Sequence, residues 1–295
     1  MTAKRVISQT VRSEREFKVP ADSDNKTIIV RGGGDLATGV VQKFVRAGFN
    51  VLILEAESPT AIRRSVALCE AAYDGYANVE DIECRRISAP EEAGACWREG
   101  AAALLVDPGG SSIKEVKPAA VIDAIIAKRN LGTTRCMADI TIALGPGFYA
   151  GKDVHAVIET KRGHDLGRLI LEGCAIPNTG IPGEIAGESA RRVIHSPYEG
   201  EIRHKKQIGD TVKQGETLFL IDNAEVRAPI SGLLRGLIRE GLPVRKGMKV
   251  ADIDSRTDAD WQTVSDKARC IGGAALEAFY YLRQMNQRQG RSNCE

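Results

Sequence analysis

A chain of 295 residues has room for one large α/β unit and a smaller module. Apolar residues make up 43% of it and charged residues 27%, a globular composition that excludes an intrinsically disordered protein. Lys and Arg total 41 against 39 Asp and Glu, and a net charge of +2 gives no strong field for nucleic acid or a membrane surface. No apolar run approaches the roughly 18 residues of a membrane span, so neither nucleic acid nor membrane is an expected partner.

Residues 1–26 lack the apolar block of a secretion signal and read as a polar extension. Seven cysteines are scattered without a CxxC pair, which points to a reducing, cytoplasmic setting. Cys136 and Cys174 are weighed as thiolates able to hold sulfur, a metal or a substrate, against the plainer reading of incidental cysteines.

Thr27 to Arg31 is a short β-branched run that stops at Gly32-Gly33-Gly34. From Asp35 to Gly48, apolar residues at 36, 40, 41, 44 and 45 recur at helical spacing, and Asn50 to Glu55 forms the next strand. Strand, glycine turn and helix are the context of a dinucleotide fingerprint, and Gly32-x-Gly34-x-x-Ala37 has its G-x-G-x-x-A form. Gly32 would permit the turn, Gly34 would leave room for a pyrophosphate, with Gly33 between them in the binding loop, and Ala37 would allow the close packing of the helix. Glu55 stands where an acid can hold an adenosine ribose, which favours NAD over its 2′-phosphorylated form. Asp35 is discordant beside a pyrophosphate unless it points away or meets a cation; it could equally cap the helix of an empty structural Rossmann turn.

Pro59 to Glu70 predicts a helix carrying Arg63 and Arg64, which with Arg31 are candidate phosphate ligands, the alternative being a solvated helix face. Ala71 to Gly75 reads as a turn leading to a short strand around Ala77 to Ile82. Ala101 to Val106 predicts a buried strand with Asp107 at its carboxyl end, the usual place for site residues in such sheets. Pro118 to Lys128 predicts a helix, and Met137 to Leu144 and Val154 to Ile158 predict strands. His155 reads as a satisfied strand residue, whereas His164 shares a charged, glycine-containing loop suited to ligand contact. The Gly- and Pro-rich stretch from Gly173 to Glu184 is a lid, a linker or a partner contact. These elements predict a Rossmann-like α/β domain over residues 27–190.

Residues 195–254 carry an internal repeat. Ser196-Pro197-Tyr198-Glu199-Gly200 aligns with Ala228-Pro229-Ile230-Ser231-Gly232 at an offset of 32 residues, which also matches Gly209 to Gly241, Val212 to Val244, Gly215 to Gly247 and Ile221 to Ile253. Two β-rich halves facing each other across a pseudo-twofold are expected. The pattern resembles the barrel-sandwich module of biotinyl and lipoyl carriers. Those carriers place a lysine in the hairpin between the halves, and Leu220 to Pro229 has none, so biotin or lipoate attachment is not expected. Residues 257–290 predict a C-terminal helical segment, with Gly272 and Gly273 available for close packing, which returns to the α/β domain or makes a homo-oligomer contact.

Beyond residue 26 the sequence resembles the YqeB-type accessory family of selenium-dependent molybdenum hydroxylases. The resemblance is carried by Arg31 to Gly39, Glu55 to Arg64, Gly145 to Phe148, Glu159 to His164, and Asn178-Thr179-Gly180. It implies maturation of a molybdenum hydroxylase, a purpose shared with XdhC-type proteins that handle the molybdenum cofactor. The implied ligand is a molybdopterin-type cofactor, and the implied partners are a hydroxylase subunit or other maturation proteins. An NAD-dependent oxidoreductase and a non-catalytic nucleotide-sensing scaffold remain as alternatives.

Overall fold

The computed structural model describes residues 25–178, 191–256 and 258–289. Most of the expected polar extension, Thr179-Gly180 with the rest of the Gly- and Pro-rich stretch, and the end of the C-terminal segment lie outside the described residues.

Strand β1 (Thr27–Arg31) leads through the glycine loop into α1 (Asp35–Arg46) and back into β2 (Asn50–Glu55), as the sequence pattern predicts. The chain continues through α2 (Ala71–Asp74), β3 (Tyr76–Val79), β4 (Ile82–Ile87), α3 (Ala93–Arg98), β5 (Ala102–Val106), α4 (Ile113–Val116) and β6 (Ala120–Asp123). After β7 (Ile140–Leu144) come β8 (Tyr149–Ala150), β9 (Ala156–Ile158), β10 (Leu169–Ile170) and β11 (Gly173–Cys174). Nine of these strands form one sheet in the order β10-β9-β7-β6-β1-β2-β5-β4-β3. Its inner strands run parallel, while the edge strands β3 and β10 pair antiparallel with their neighbours.

The chain leaves β1 toward β2 on one side and returns to β6 on the other. That reversal opens a crevice beyond the carboxyl ends of β1 and β6, the place where open α/β sheets collect ligands. Alternation along β1 divides the core: Ile28 and Val30 face α1, and Ile29 joins the opposite cluster with Cys96 of α3 and Ile113 of α4.

Three expectations are corrected. Pro118 to Lys128 is strand β6 followed by a loop; Ala120 to Asp123 is wholly buried between β1 and β7, and a short buried apolar run does not distinguish strand from helix by period. Pro59 to Glu70 forms only two single 3₁₀ turns, at Arg64–Val66 and Leu68–Glu70. Tertiary bonds compete with the helix there: the Leu68 amide donates to Thr38 Oγ1 at 3.0 Å and the Cys69 amide to the Gly33 carbonyl at 2.8 Å. The stretch Ala71 to Gly75 is a short helix that ends on Gly75 at φ 77°, and the region beyond it is the hairpin β3–β4.

The second half carries β12 (Val193–His195), β13 (Gly200–His204), β14 (Thr211–Val212), β15 (Thr217–Ile221), β16 (Ala224–Arg227), β17 (Gly232–Leu237), β18 (Pro243–Val244) and β19 (Lys249–Asp254). They form two four-stranded sheets, β12-β19-β17-β14 and β16-β15-β13-β18. A shift of 32 residues carries β12 to β15 onto β16 to β19 and turns the first sheet order into the second. The shift also maps hydrogen bonds: Gly215 N–H donates to the Ala228 carbonyl, and Gly247 N–H to the Ser196 carbonyl, both at 2.8 Å. Each sheet takes strands from both halves, and both enclose one core containing Ile202, Phe219, Leu234 and Val250.

Helix α5 (Asp266–Gln289) then returns to α1. The crossing is tight because glycine faces the partner backbone on each side. A Cβ at Gly39 would lie 2.3 Å from the Ala268 carbonyl oxygen, and one at Gly272 2.2 Å from that of Gly39. Phe279 adds edge-to-face contacts with Phe44 at 5.8 Å and Phe49 at 5.1 Å, each worth about 1 kcal/mol beyond burial. The β module is thus inserted between the last strands of the α/β region and the helix that covers α1. Among the described residues no helix is long and apolar enough to cross a membrane.

Candidate functional site

The glycine loop crosses the crevice, with Gly32 at φ 93°. A Cβ on Gly32 would come within 3.0 Å of the Ala124 carbonyl oxygen after β6. At Gly34 nothing lies within 4 Å, so this glycine faces open space rather than a packed wall. A cavity of about 360 Å³ follows, lined by Gly32, Gly34, Asp35, Ala37, Glu55, Ser58, Cys69 and Ile125 among others. The loop is closed from within by Glu55, whose carboxylate accepts the Gly33 and Ala56 amides, both at 2.7 Å. Burial pushes the Glu55 pKa up, while these two amides pull against the shift. Burial also drives the Cys69 thiol well up, helped by the neighbouring carboxylates, and keeps it protonated.

A larger cavity, about 690 Å³, lies between the α/β region and the first sheet of the β module. It shares Asp35, Leu36 and Ile126 with the glycine-loop cavity. Eight cationic side chains line it: Arg63, Lys128, Lys161, Arg162, Arg192, Arg235, Lys249 and Lys267, against the carboxylates of Asp35, Glu159 and Asp252. Several of these charged groups are already committed. Arg162 forms a fork with Asp266 at 2.8 and 2.9 Å, Arg192 meets Asp252 at 3.0 Å, and Glu159 accepts the Lys161 and Ile176 amides at 2.7 Å.

Others keep spare capacity. Arg63 is 9% exposed and pairs with Asp35 at 3.4 Å, yet its Nε and Nη2 have no hydrogen-bond partner. Arg235 is 7% exposed, pairs with Asp254 at 3.2 Å and leaves its Nε without one. Lys249 and Lys267 have lowered pKa values, first because protein crowds their ammonium groups; Lys249 nevertheless keeps solvent access along its side chain. Cations gathered at this density leave the lining with an excess of positive charge that an anion would offset.

The eleven residues singled out from the sequence separate into three groups. Gly32, Gly34, Asp35, Ala37 and Glu55 line the glycine-loop cavity, with Gly33 in the loop backbone, and Arg63 and Asp35 line the larger one. Asp35 does meet a cation, which resolves its discordance. Arg31, Arg64, Asp107 and His164 line neither cavity. Arg31 is 1% exposed and turns inward to Thr133, the Pro108 carbonyl at 2.9 Å and Asp123 at 3.9 Å. Arg64 donates to the Leu237 carbonyl at 2.8 Å and so fastens the β module. Asp107 accepts the Gly110, Ser111 and Ser112 amides; burial would raise its pKa, but these donors and the two serine hydroxyls outweigh it and lower it. His164 is exposed on its loop, and Cys136 and Cys174 are exposed outside both cavities.

Sequence reasoning missed Arg192, Arg235, Lys249 and Lys267, which come from the β module and from α5. Only Lys161 and Arg162 carried a local signal, as part of the charged loop before His164. Among the described residues, no group of three or more His, Cys, Asp or Glu is placed to hold a metal.

Over 261 residues the chain is 49% identical to the uncharacterized protein YqeB of Escherichia coli (strain K12), covering 88% of this chain and 48% of that protein. It is a close homologue of YqeB and spans about half its length. No protein-family model matches the chain. Similar solved structures include the ectoine utilization protein EutE (DoeB) from Ruegeria pomeroyi, 13% identical with a TM-score of 0.21, covering 77% of this chain and 57% of that one. A succinylglutamate desuccinylase from Silicibacter sp. TM1040 is 12% identical with a TM-score of 0.24, covering 79% and 85%. Scores this low carry no argument about this chain.

Proposed function

From the homology to YqeB and the paired cavities, we propose that this protein binds a nucleotide- or molybdopterin-type cofactor as an accessory or maturation factor for a molybdenum hydroxylase. The observation that supports the reading is the charge of the larger cavity, eight cationic side chains against three carboxylates. A molybdopterin-type cofactor carries a phosphate, in some forms joined to a nucleotide, and guanidinium groups are suited to hold it. Arg63 and Arg235 are among the residues lining that cavity, and both cavity volumes lie within the range of roughly 300–1,000 Å³ usual for small-molecule sites. When bound, the cofactor would supply oxygen-transfer and redox chemistry to the hydroxylase; this chain's residues would hold the anionic end and shield the remainder. The hydroxylase partner rests on the family resemblance alone.

An NAD-dependent oxidoreductase has less support. The Gly33 amide that such a site would offer to pyrophosphate is occupied by Glu55.

The test is mass spectrometry of small molecules released from anaerobically purified protein. Molybdopterin or its dinucleotide is expected from the wild type and should be lost from the double variant Arg235→Gln, Lys249→Gln. Recovery of NAD(H) alone would move the protein to a redox enzyme or a nucleotide-sensing scaffold.

A further inference from the structure

The two cavities share a border but differ in sign. The glycine-loop cavity is lined by the carboxyl groups of Asp35 and Glu55 and by no lysine or arginine. The larger cavity gathers cations from three parts of the chain: Arg63 after β2, Arg192, Arg235 and Lys249 from the β module, and Lys267 on α5. We infer that the ligand's phosphate is held in the larger cavity by Arg63, Arg235, Lys249 and Lys267, and that the glycine loop receives an uncharged, hydrogen-bond-donating part of the same molecule. This orientation is the reverse of a dinucleotide fold, where the glycine loop cradles the phosphate, and it rests on the cofactor-binding reading above.

Three features of the loop argue against a phosphate there. Glu55 already accepts the Gly33 amide, Asp35 puts a carboxylate on the first residue of α1, and the lining of that cavity holds no cation, the Arg63 that meets Asp35 standing in the larger one. A phosphate would meet like charge from both acids. A ribose hydroxyl or a ring amine would instead find acceptors. In the larger cavity the balance inverts. Asp35 pairs with Arg63 at only 3.4 Å, and Arg235, Lys249 and Lys267 add further cations to the lining. The same Asp35 borders both cavities, so it marks the boundary between the charged and uncharged parts of the ligand.

The experiment is calorimetric titration of the full chain with two probes, inorganic pyrophosphate and ADP. Lys249→Gln and Lys267→Gln are each expected to weaken pyrophosphate binding at least fivefold, and Arg235→Gln at least tenfold. Asp35→Asn is expected to tighten it by releasing Arg63. Gly34→Ala adds a methyl where nothing lies within 4 Å, and should reduce ADP affinity by more than pyrophosphate affinity. Arg235 is buried, so if its variant fails to fold, the two more accessible lysines carry the test. Pyrophosphate binding that survives both lysine substitutions, or that falls as steeply with Gly34→Ala as with Lys249→Gln, would overturn the orientation. So would absence of pyrophosphate binding at millimolar concentration. None of these results decides which cofactor co-purifies with the protein, so the two proposals fail separately.

Discussion

Arg31 illustrates what single residues disclosed and what they hid. Its place at the end of β1, next to three glycines, marks it as a ligand cation, but burial is a property of the fold, and Thr133, Asp123 and the Pro108 carbonyl, 77 to 102 residues away, turn it inward. Burial holds the Asp123 pKa up, while Thr133, the Ile125 amide and Arg31 favour its charge. Removing Arg31 leaves that carboxyl buried without its cation. Arg31→Ala is therefore expected to cost about 3 kcal/mol in urea unfolding; a loss below about 1 kcal/mol would show the buried network to be dispensable. His155 was legible only in part. Its Nδ1 accepts the Thr141 amide at 3.0 Å and burial, aided by Arg135, lowers its pKa to about 4, but it stands one residue before β9 and its buried Nε2 has no partner. Glu55 was half legible: its place at the end of β2 beside the glycine loop follows from the spacing, but the bonds it accepts from the Gly33 and Ala56 amides do not.

Elements with a strong local period were readable: β1, α1 and β2 follow from spacing and glycine alone. So was the 32-residue repeat, because each half needs the same turns at the same places; Gly209 and Gly241, and Gly215 and Gly247, all adopt positive φ. Segments shaped by distant partners were not. Ile62 lends its carbonyl to the Leu237 amide at 2.7 Å, so the Pro59 to Glu70 stretch serves the β module instead of winding into a helix. The α1–α5 crossing was visible only as Gly272, since its counterpart Gly39 sits within α1 with nothing in its spacing to mark it. Gly272→Ala is expected to lower the thermal midpoint and cost about 2 kcal/mol or more, because its Cβ would meet backbone, which cannot rotate away. Gly273→Ala is the control, as nothing lies within 4 Å of its position, and equal losses in the two variants would refute the crossing.

At the scale of the molecule, the larger cavity exists only because three distant parts of the chain meet, which is why its cations were not legible from spacing. Their crowding has a consequence for pH. Lys249 faces Arg192 and Arg63, which lower its pKa further, and Asp252 and Asp35, which resist; Lys267 faces Arg162 and Lys249 against Asp35 and Glu159. A bound anion favours both ammonium groups and raises both pKa values. Binding should then take up protons, and affinity should fall as pH climbs through the lowered lysine values. Sulfate, whose charge is constant there, titrated in buffers of different ionisation enthalpy, checks this; affinity that holds across the range would exclude the lysines from the anion's surroundings. The insertion of the β module ahead of α5 also bears on how the protein is made. As the chain leaves the ribosome, β12 must wait for β19, and Phe44 on α1 must wait for Phe279, more than 200 residues later. Until then one apolar side of the parallel sheet's first helix stands uncovered, so the nascent chain carries exposed apolar surface through most of its synthesis.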